Sequence, residues 1–135
     1  MIAAVSNRGL VRFMLYEGAL NADRFIDFLR RLVRDAGRKV VLIVDNLKVH
    51  KAGKVRAWLE SHRHEIELFY LPAYAPDHNP TEYLNNDLKQ ALRQKPQPDS
   101  EDELIRNTRS VLRTIQRSPE RVRAYFKPEP VRYAA

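Results

Sequence analysis

The stretch Lys39-Val40-Val41-Leu42-Ile43-Val44-Asp45-Asn46 decides the fold class of this 135-residue chain. Five apolar residues in a row, with no polar alternation, predict an interior strand covered on both faces, and such strands are typically parallel. The run stops abruptly at Asp45-Asn46. In open α/β sheets the carboxyl ends of the strands border the crevice where ligands bind, so Asp45 stands where chemistry is expected. A carboxylate at that edge cannot turn into the core without a heavy desolvation cost. It must reach water, a cation or a hydrogen-bond donor. A turn or helix-capping role, helped by Asn46, accounts for the same residue, and Asp45 alone does not separate the two.

The flanking segments supply the rest of an α/β pattern. Upstream, Ile2–Val5 and Leu10–Tyr16 are β-prone runs joined by Ser6-Asn7-Arg8-Gly9, which predicts a hairpin. Asn21 caps a helix reaching about Ala36, with Phe25, Ile26, Leu29, Leu32, Val33 and Ala36 on one face, and Gly37 stops it. Downstream, a second helix is expected from about Lys51 to His62, with Val55, Trp58 and Leu59 inward, then a strand over Glu65–Leu71. Residues 71–80 hold three prolines and cannot be regular structure. A third helix begins near Pro80 and buries Leu84, Leu88, Ala91 and Leu92. After the hinge Lys95–Pro98, a long helix over about Ser100–Arg117 turns Leu104, Ile105, Thr108, Val111, Leu112 and Ile115 to one side. A short helix after Pro119 and a loose tail complete the chain. Strands alternating with helices after a hairpin predict a mixed-sheet α/β domain.

Composition narrows the function classes. Hydrophobic residues at 44% and charged residues at 30% exclude a disordered chain, a collagen and a coiled-coil rod. The absence of cysteine excludes disulfide frameworks, thiolate zinc sites and cysteine nucleophiles. The longest apolar run is far too short to cross a bilayer, and the first residues lack the pattern of a signal peptide, so a soluble cytoplasmic protein is expected. Lys and Arg number 24 against 17 Asp and Glu, a net charge of +7. The excess is concentrated at the end: from Arg106 onward eight basic residues stand against Glu120 and Glu129. That balance suits a polyanion such as nucleic acid, and suits plain solubility equally well.

Glu82 is the second acid of interest. Asn79-Pro80-Thr81-Glu82 has the spacing of a capping box, in which the glutamate would reach back to the cap residue's amide. On a helical wheel Glu82 groups with Asn86, Lys89 and Arg93, opposite the Leu84/Leu88/Leu92 stripe. An acid at a strand end and another at a helix start can share a hard divalent cation; Mg²⁺ commonly binds through one or two carboxylates, water and substrate phosphate. Spacing alone permits the pairing without requiring it.

Val44-Asp45-Asn46 followed by His50, and then the run from Leu71-Pro72-Ala73-Tyr74-Ala75-Pro76-Asp77-His78-Asn79-Pro80-Thr81-Glu82 through Tyr83-Leu84-Asn85-Asn86-Asp87-Leu88-Lys89, closely resemble the bacterial insertion-sequence transposases of the mariner-like superfamily. The pattern Leu-Pro-x-Tyr-x-Pro-x-x-Asn-Pro-x-Glu is long and specific; Gly18 to Leu32 is also similar, and the resemblance spans about residues 1–94. It implies a ribonuclease-H-like mixed sheet flanked by helices, belonging to a DNA transposase catalytic domain that cuts and rejoins transposon ends with an Asp-Asp-Glu triad. The implied cofactor is Mg²⁺ or Mn²⁺, two ions in the intact site. Asp45 matches the second acid and Glu82 the third, with 36 residues between them.

The resemblance further implies a first aspartate on a central strand preceding the hairpin, and no residue here matches it; Glu17, Asp23 and Asp77 do not follow a suitable strand. The expected organisation is therefore a truncated catalytic core over residues 1–95 and a basic helical extension of the same domain over 96–135. The chain alone is expected to be inactive. Unpaired strand edges would favour a homo-oligomer formed by strand exchange. A non-catalytic remnant that binds DNA or another transposase chain is the alternative class.

The remaining residues have modest roles. Lys48, Lys51 and Lys54, then Asn86, Lys89 and Arg93, and finally Arg106, Arg109 and Arg113 on the long helix are candidate DNA contacts. His50 could join them, orient Asp45, or simply face solvent at a helix start. His62 and His64 lack a third ligand and are poor metal candidates. His78 and Tyr74 are expected to shape the proline-rich loop, and Trp58 to lie in the core.

Overall fold

A computed structural model describes residues 1–73 and 75–135. The expected role of Tyr74 falls outside the described residues. The chain folds as two compact units, one formed by residues 1–2 and 16–76, the other by residues 3–15 and 77–135.

In the first unit, α1 (Ala22–Ala36) starts at Asn21, whose side chain accepts a 2.8 Å hydrogen bond from the Arg24 amide, and ends at Gly37 in the left-handed region with φ 66°. Both boundaries follow from the chemistry expected of Asn and Gly at helix ends. Its buried stripe is Phe25, Ile26, Phe28, Leu29 and Leu32; Phe28 joins the predicted face and Ala36 leaves it for solvent. The helix packs against α2 (Gly53–Ser61) and against β3 (Val40–Val44). Trp58 is buried in α2, as expected, and stacks on His62 with ring centroids 4.0 Å apart.

β3 pairs in parallel with β4 (Ile66–Tyr70), in the register Val40↔Ile66 to Val44↔Tyr70. The parallel sense was legible in the apolar run; full coverage of the strand was not. Val41 is 61% exposed and Ile43 38%, whereas Val44 is buried. A strand presents alternate residues to opposite faces, and only the face carrying Leu42 and Val44 is covered. Among the described residues the strands form two two-stranded ladders, β3 with β4 and β1 (Ile2–Val5) with β2 (Val11–Met14), rather than one continuous sheet. The mixed character survives: the five-residue link between β1 and β2 forces an antiparallel hairpin, since a parallel connection needs a crossover.

In the second unit, β2 packs with α3 (Thr81–Arg93), α4 (Glu101–Gln116) and α5 (Pro119–Arg123) around Val11, Leu84, Leu88, Val111, Leu112, Ile115 and Val122. Ser100 caps α4, and Gln116 donates a 3.0 Å bond to the Val11 carbonyl. Leu104, expected on the buried stripe, is exposed, because the buried core reaches only the last two turns of α4, at Val111, Leu112 and Ile115. The expected loose tail is instead folded. Short 3₁₀ turns at Ala124–Phe126 and Glu129–Ala134 bury Tyr125, Phe126 and Val131, and the Tyr133 hydroxyl donates to the His78 carbonyl. Apolar area taken from water outweighs the loop-like composition there. Among the described residues no helix is long and apolar enough to cross a membrane.

One polar network fastens this unit. Asp87 on α3 accepts two hydrogen bonds from Arg121 on α5, the Nε one at 2.6 Å, and a third from the Tyr125 hydroxyl. Arg121 holds the Asp87 carboxyl below its ordinary range; burial opposes this and the Tyr125 bond adds to it. Burial, reinforced by Asp87, pushes the Tyr125 hydroxyl well up. Because the native Asp87 value is lowered, its share of stability is complete above the ordinary aspartate value of about 4 and is lost as the pH falls below it. Asp87→Asn is expected to lower the unfolding free energy at neutral pH by about 1–3 kcal/mol and to flatten the acid limb of the stability profile, measured by urea denaturation across pH. A second expectation concerns Gly9, at φ 90°, where an added Cβ would lie 2.6 Å from the Pro119 carbonyl oxygen. Gly9→Ala should cost about 1–3 kcal/mol by the same measurement.

Candidate active site

Asp45 follows the last residue of β3, where the strand leaves its ladder. The Leu71 amide closes that end with a 2.7 Å bond to the Val44 carbonyl. The chain then turns through a 3₁₀ segment, Lys48–Lys51, which brings His50 back beneath the strand end. His50 is only 6% exposed and its ring lies 4.4 Å from that of Phe25. Its Nδ1 is 3.0 Å from the Asp45 carbonyl oxygen and also 3.0 Å from Asp45 Oδ1. The aligned hydrogen bond runs to the carbonyl, and Oδ1, shielded from solvent, has no aligned donor of its own. The Asp45 side chain as a whole is 47% exposed. Tyr70, at the end of β4, donates a 2.9 Å bond to the His50 carbonyl and so holds the turn in place.

This arrangement excludes a helix-capping role for Asp45: the Lys48–Lys51 turn has no side-chain cap, and neither does α2. Of the alternatives for His50, the solvent-facing one is not realised. The ring is turned to Asp45 and enclosed.

Glu82 opens α3 in the second unit. The anticipated capping box does not form. Asn79 Oδ1 instead accepts from the Thr81 amide at 3.1 Å and from the Thr81 hydroxyl at 2.7 Å. Glu82 is exposed, and its carboxylate has no hydrogen-bond or ion-pair partner among the described residues. Asn86, Lys89 and Arg93 are exposed on the same side of α3.

The lysines beside Asp45 differ from one another. Lys48 is exposed, Lys51 lies 5.1 Å from the centre of the Tyr70 ring, and Lys54 pairs with Asp23 at 3.4 Å. Arg106, Arg109 and Arg113 lie on the exposed face of α4. Among the described residues no three His, Asp or Glu side chains gather as a ready metal cage. Taken singly, the Asp45 and Glu82 carboxylates are each hard oxygen donors of the kind a divalent ion takes. Each offers carboxylate oxygens that no Lys or Arg neutralises, and Asp45 Oδ1 is buried without an aligned donor. The Asp87–Arg121–Tyr125 network was missed in the sequence, because its three members lie 34 and 38 residues apart across separate helices.

Residues 1–105 match the family described as DDE superfamily endonuclease, and the chain belongs to that family. It is 30% identical over 97 residues to the insertion element IS630 uncharacterized 39 kDa protein of Shigella sonnei, a match covering 70% of this chain and 28% of that protein. The chain thus spans little more than a quarter of that relative's length. The catalytic domain of Mos1 mariner transposase has a similar fold, with a TM-score of 0.59 and 24% identity over 85% of this chain and 65% of that one. The Mos1 mariner paired end complex with Mn is similar at a TM-score of 0.57 and 26% identity, covering 83% of this chain and 37% of that one.

His50 makes its own prediction. Truncating a buried ring that spans Phe25 and Asp45 leaves a void and an unsatisfied carbonyl. His50→Ala should lower stability by about 2 kcal/mol, and His50→Asn, which keeps a donor, should lose less. Urea unfolding followed by fluorescence of Trp58, the sole tryptophan, checks both values.

Proposed function

We propose that this chain is part of a DNA transposase catalytic domain of the bacterial insertion-sequence branch, the portion carrying the second and third acids of an Asp-Asp-Glu site. The observation that carries the proposal is two carboxylates that no Lys or Arg neutralises: Asp45, fixed by its strand end, and Glu82, freed from capping by the Asn79–Thr81 bonds. Asp45 and Glu82 would each supply a carboxylate to Mg²⁺ or Mn²⁺, two ions being what the family resemblance implies. When bound, such ions activate water and stabilise the leaving oxygen of a phosphodiester.

The chain's own residues do the rest. His50 positions Asp45 from behind, and Phe25 excludes water from that side. Lys48 and Lys51 on the turn, with Lys54 on α2, and Asn86, Lys89 and Arg93 on α3 contact DNA phosphates at transposon ends. No covalent protein–DNA bond is involved, because none of these groups is placed as an activated nucleophile.

The resemblance calls for a first aspartate on a central strand, and none of residues 1–135 matches it. On this reading residues 1–95 belong to the catalytic core and residues 96–135 are its basic extension. The chain joins further copies through its open strand edges. A second reading is a DNA-binding or dimerising remnant without catalysis.

Mn²⁺ titration followed by the electron paramagnetic resonance of the free ion tests the ligands directly. Asp45→Asn and Glu82→Gln should each weaken binding about tenfold or more, equivalent to about 1.4 kcal/mol. Unchanged affinity in either variant removes that residue from the site. Joining the family's upstream strand and its aspartate to this chain should yield Mg²⁺- or Mn²⁺-dependent nicking of supercoiled plasmid, abolished by either substitution. Metal binding without nicking in that extended protein would select the remnant reading.

A further inference from the structure

Pro128 to Ala135 have the composition of a frayed end, and a chain terminus is ordered only where something ties it down. Three ties are made here. Val131 is fully buried. Arg132 Nε donates a 2.9 Å bond to the Lys127 carbonyl, which closes the tail on its own base. The third tie leaves the tail altogether: the Tyr133 hydroxyl donates to the carbonyl of His78, 55 residues earlier in the chain. Packing does not account for that last contact. Tyr133 is 52% exposed, so its ring gains only part of the burial energy of a core tyrosine. Its hydroxyl, by contrast, is partly withdrawn from water, and desolvation raises it above its ordinary value, so that it is a donor at neutral pH.

His78 ends the short turn Pro76–His78 and stands four residues before Glu82. From Leu84 onward α3 is held by Leu84, Leu88 and the Asp87–Arg121–Tyr125 network. Its start is held differently. Among the described residues from 75 to 83, Pro80 alone is buried, and its ring offers no hydrogen bond. The Asn79 side chain bonds only to Thr81, within the same turn. Burial of a ring sets where the helix start lies but leaves its peptide groups free to tilt, whereas a hydrogen bond to a carbonyl is directional. Among the described residues, the bond from Tyr133 is the only one that residues 75–82 receive from an element other than α3. Glu82 is exposed and without a partner, so the aim of its carboxylate depends on the backbone beneath it.

We infer that Tyr133 is a positioning residue for Glu82: the C-terminal tail is a strap that holds the His78 peptide, fixes the start of α3 and so aims the carboxylate. Tyr133 acts through the backbone alone. The tail lies outside residues 1–105, so the family match assigns it no role. The inference rests on the reading of Glu82 as a metal ligand, and its first test is therefore made without metal.

Tyr133→Phe in the whole chain removes the hydroxyl and keeps the ring. In EDTA, hydrogen exchange followed by NMR should be about fivefold faster at the Thr81 and Glu82 amides, which bond to Asn79, as one local hydrogen bond is lost. The Leu88 amide, further along α3, should keep its rate. Mn²⁺ titration followed by electron paramagnetic resonance should then show affinity about threefold weaker, less than the tenfold or more typical of a direct partner of a ligand. In a Glu82→Gln background Tyr133→Phe should have no further effect, because residues that act through one another are not additive; in an Asp45→Asn background the threefold loss should persist. Unchanged exchange at Thr81 and Glu82 overturns the inference. Equal acceleration at Leu88 does so too, since it marks a general loosening, as does a loss of affinity that survives in Glu82→Gln. If Glu82→Gln itself leaves Mn²⁺ binding unchanged, the ligand reading fails on its own, and the exchange rates alone decide whether the tail holds the start of α3.

Discussion

The parallel ladder between β3 and β4 is the constraint on which the first unit depends. Its register ends with Val44 opposite Tyr70, and the Leu71 amide closes it on the Val44 carbonyl. Three consequences follow at that end. Asp45 is released from the ladder at a defined position. Tyr70 is brought close enough for its hydroxyl to hold the His50 carbonyl. His50, pinned from that side and stacked on Phe25, is presented to Asp45. Slipping the pairing by one residue would turn every side chain of β3 to the other face, burying Ile43 in place of Val44 and moving Asp45 off its support.

The second unit relies on a different kind of bond. Its apolar core would hold α3 and α5 together in several rotational settings, because apolar packing is only weakly directional. The Asp87–Arg121–Tyr125 network removes that freedom, since a planar guanidinium meets a carboxylate in one fork geometry. Asp87 lies five residues beyond Glu82 on the same helix, so the network also fixes the rotation of the helix that presents Glu82. The run from Leu71 to Lys89 thus divides its labour among buried anchors at Leu71, Leu84 and Leu88, a local brace at Asn79 and Thr81, a tertiary tie at Asp87, and one acid left without a partner.

Local signals were written in the chain where a single residue type has one physical use. Asn21 and Gly37 bounded α1, Ser100 opened α4, and Pro80 preceded α3 because caps, left-handed termini and first-turn prolines depend on the nearest few residues. Legibility failed where distant partners compete for the same group. The Asn79–Glu82 spacing fits a capping box, yet Asn79 spends its side chain on Thr81. His50 at a helix start fits a solvent-facing residue, yet Phe25 and Asp45 enclose it. The tail after Arg123 has the composition of a loop, yet Tyr125, Phe126 and Val131 find a core to enter.

By itself the sequence determined that β3 is an apolar, parallel strand followed by Asp45, that α3 begins beside Glu82, and that α4 is amphipathic with a basic outer face. Each of these depends on periodicity or on neighbours within a turn or two. Tertiary structure alone decided which face of β3 is covered, that His50 is buried against Asp45, that Glu82 is left uncapped, and that Arg121 closes on Asp87. The reason is physical: burial and hydrogen-bond pairing are settled between segments tens of residues apart, and a one-dimensional pattern records what a residue can satisfy, not which partner reaches it first.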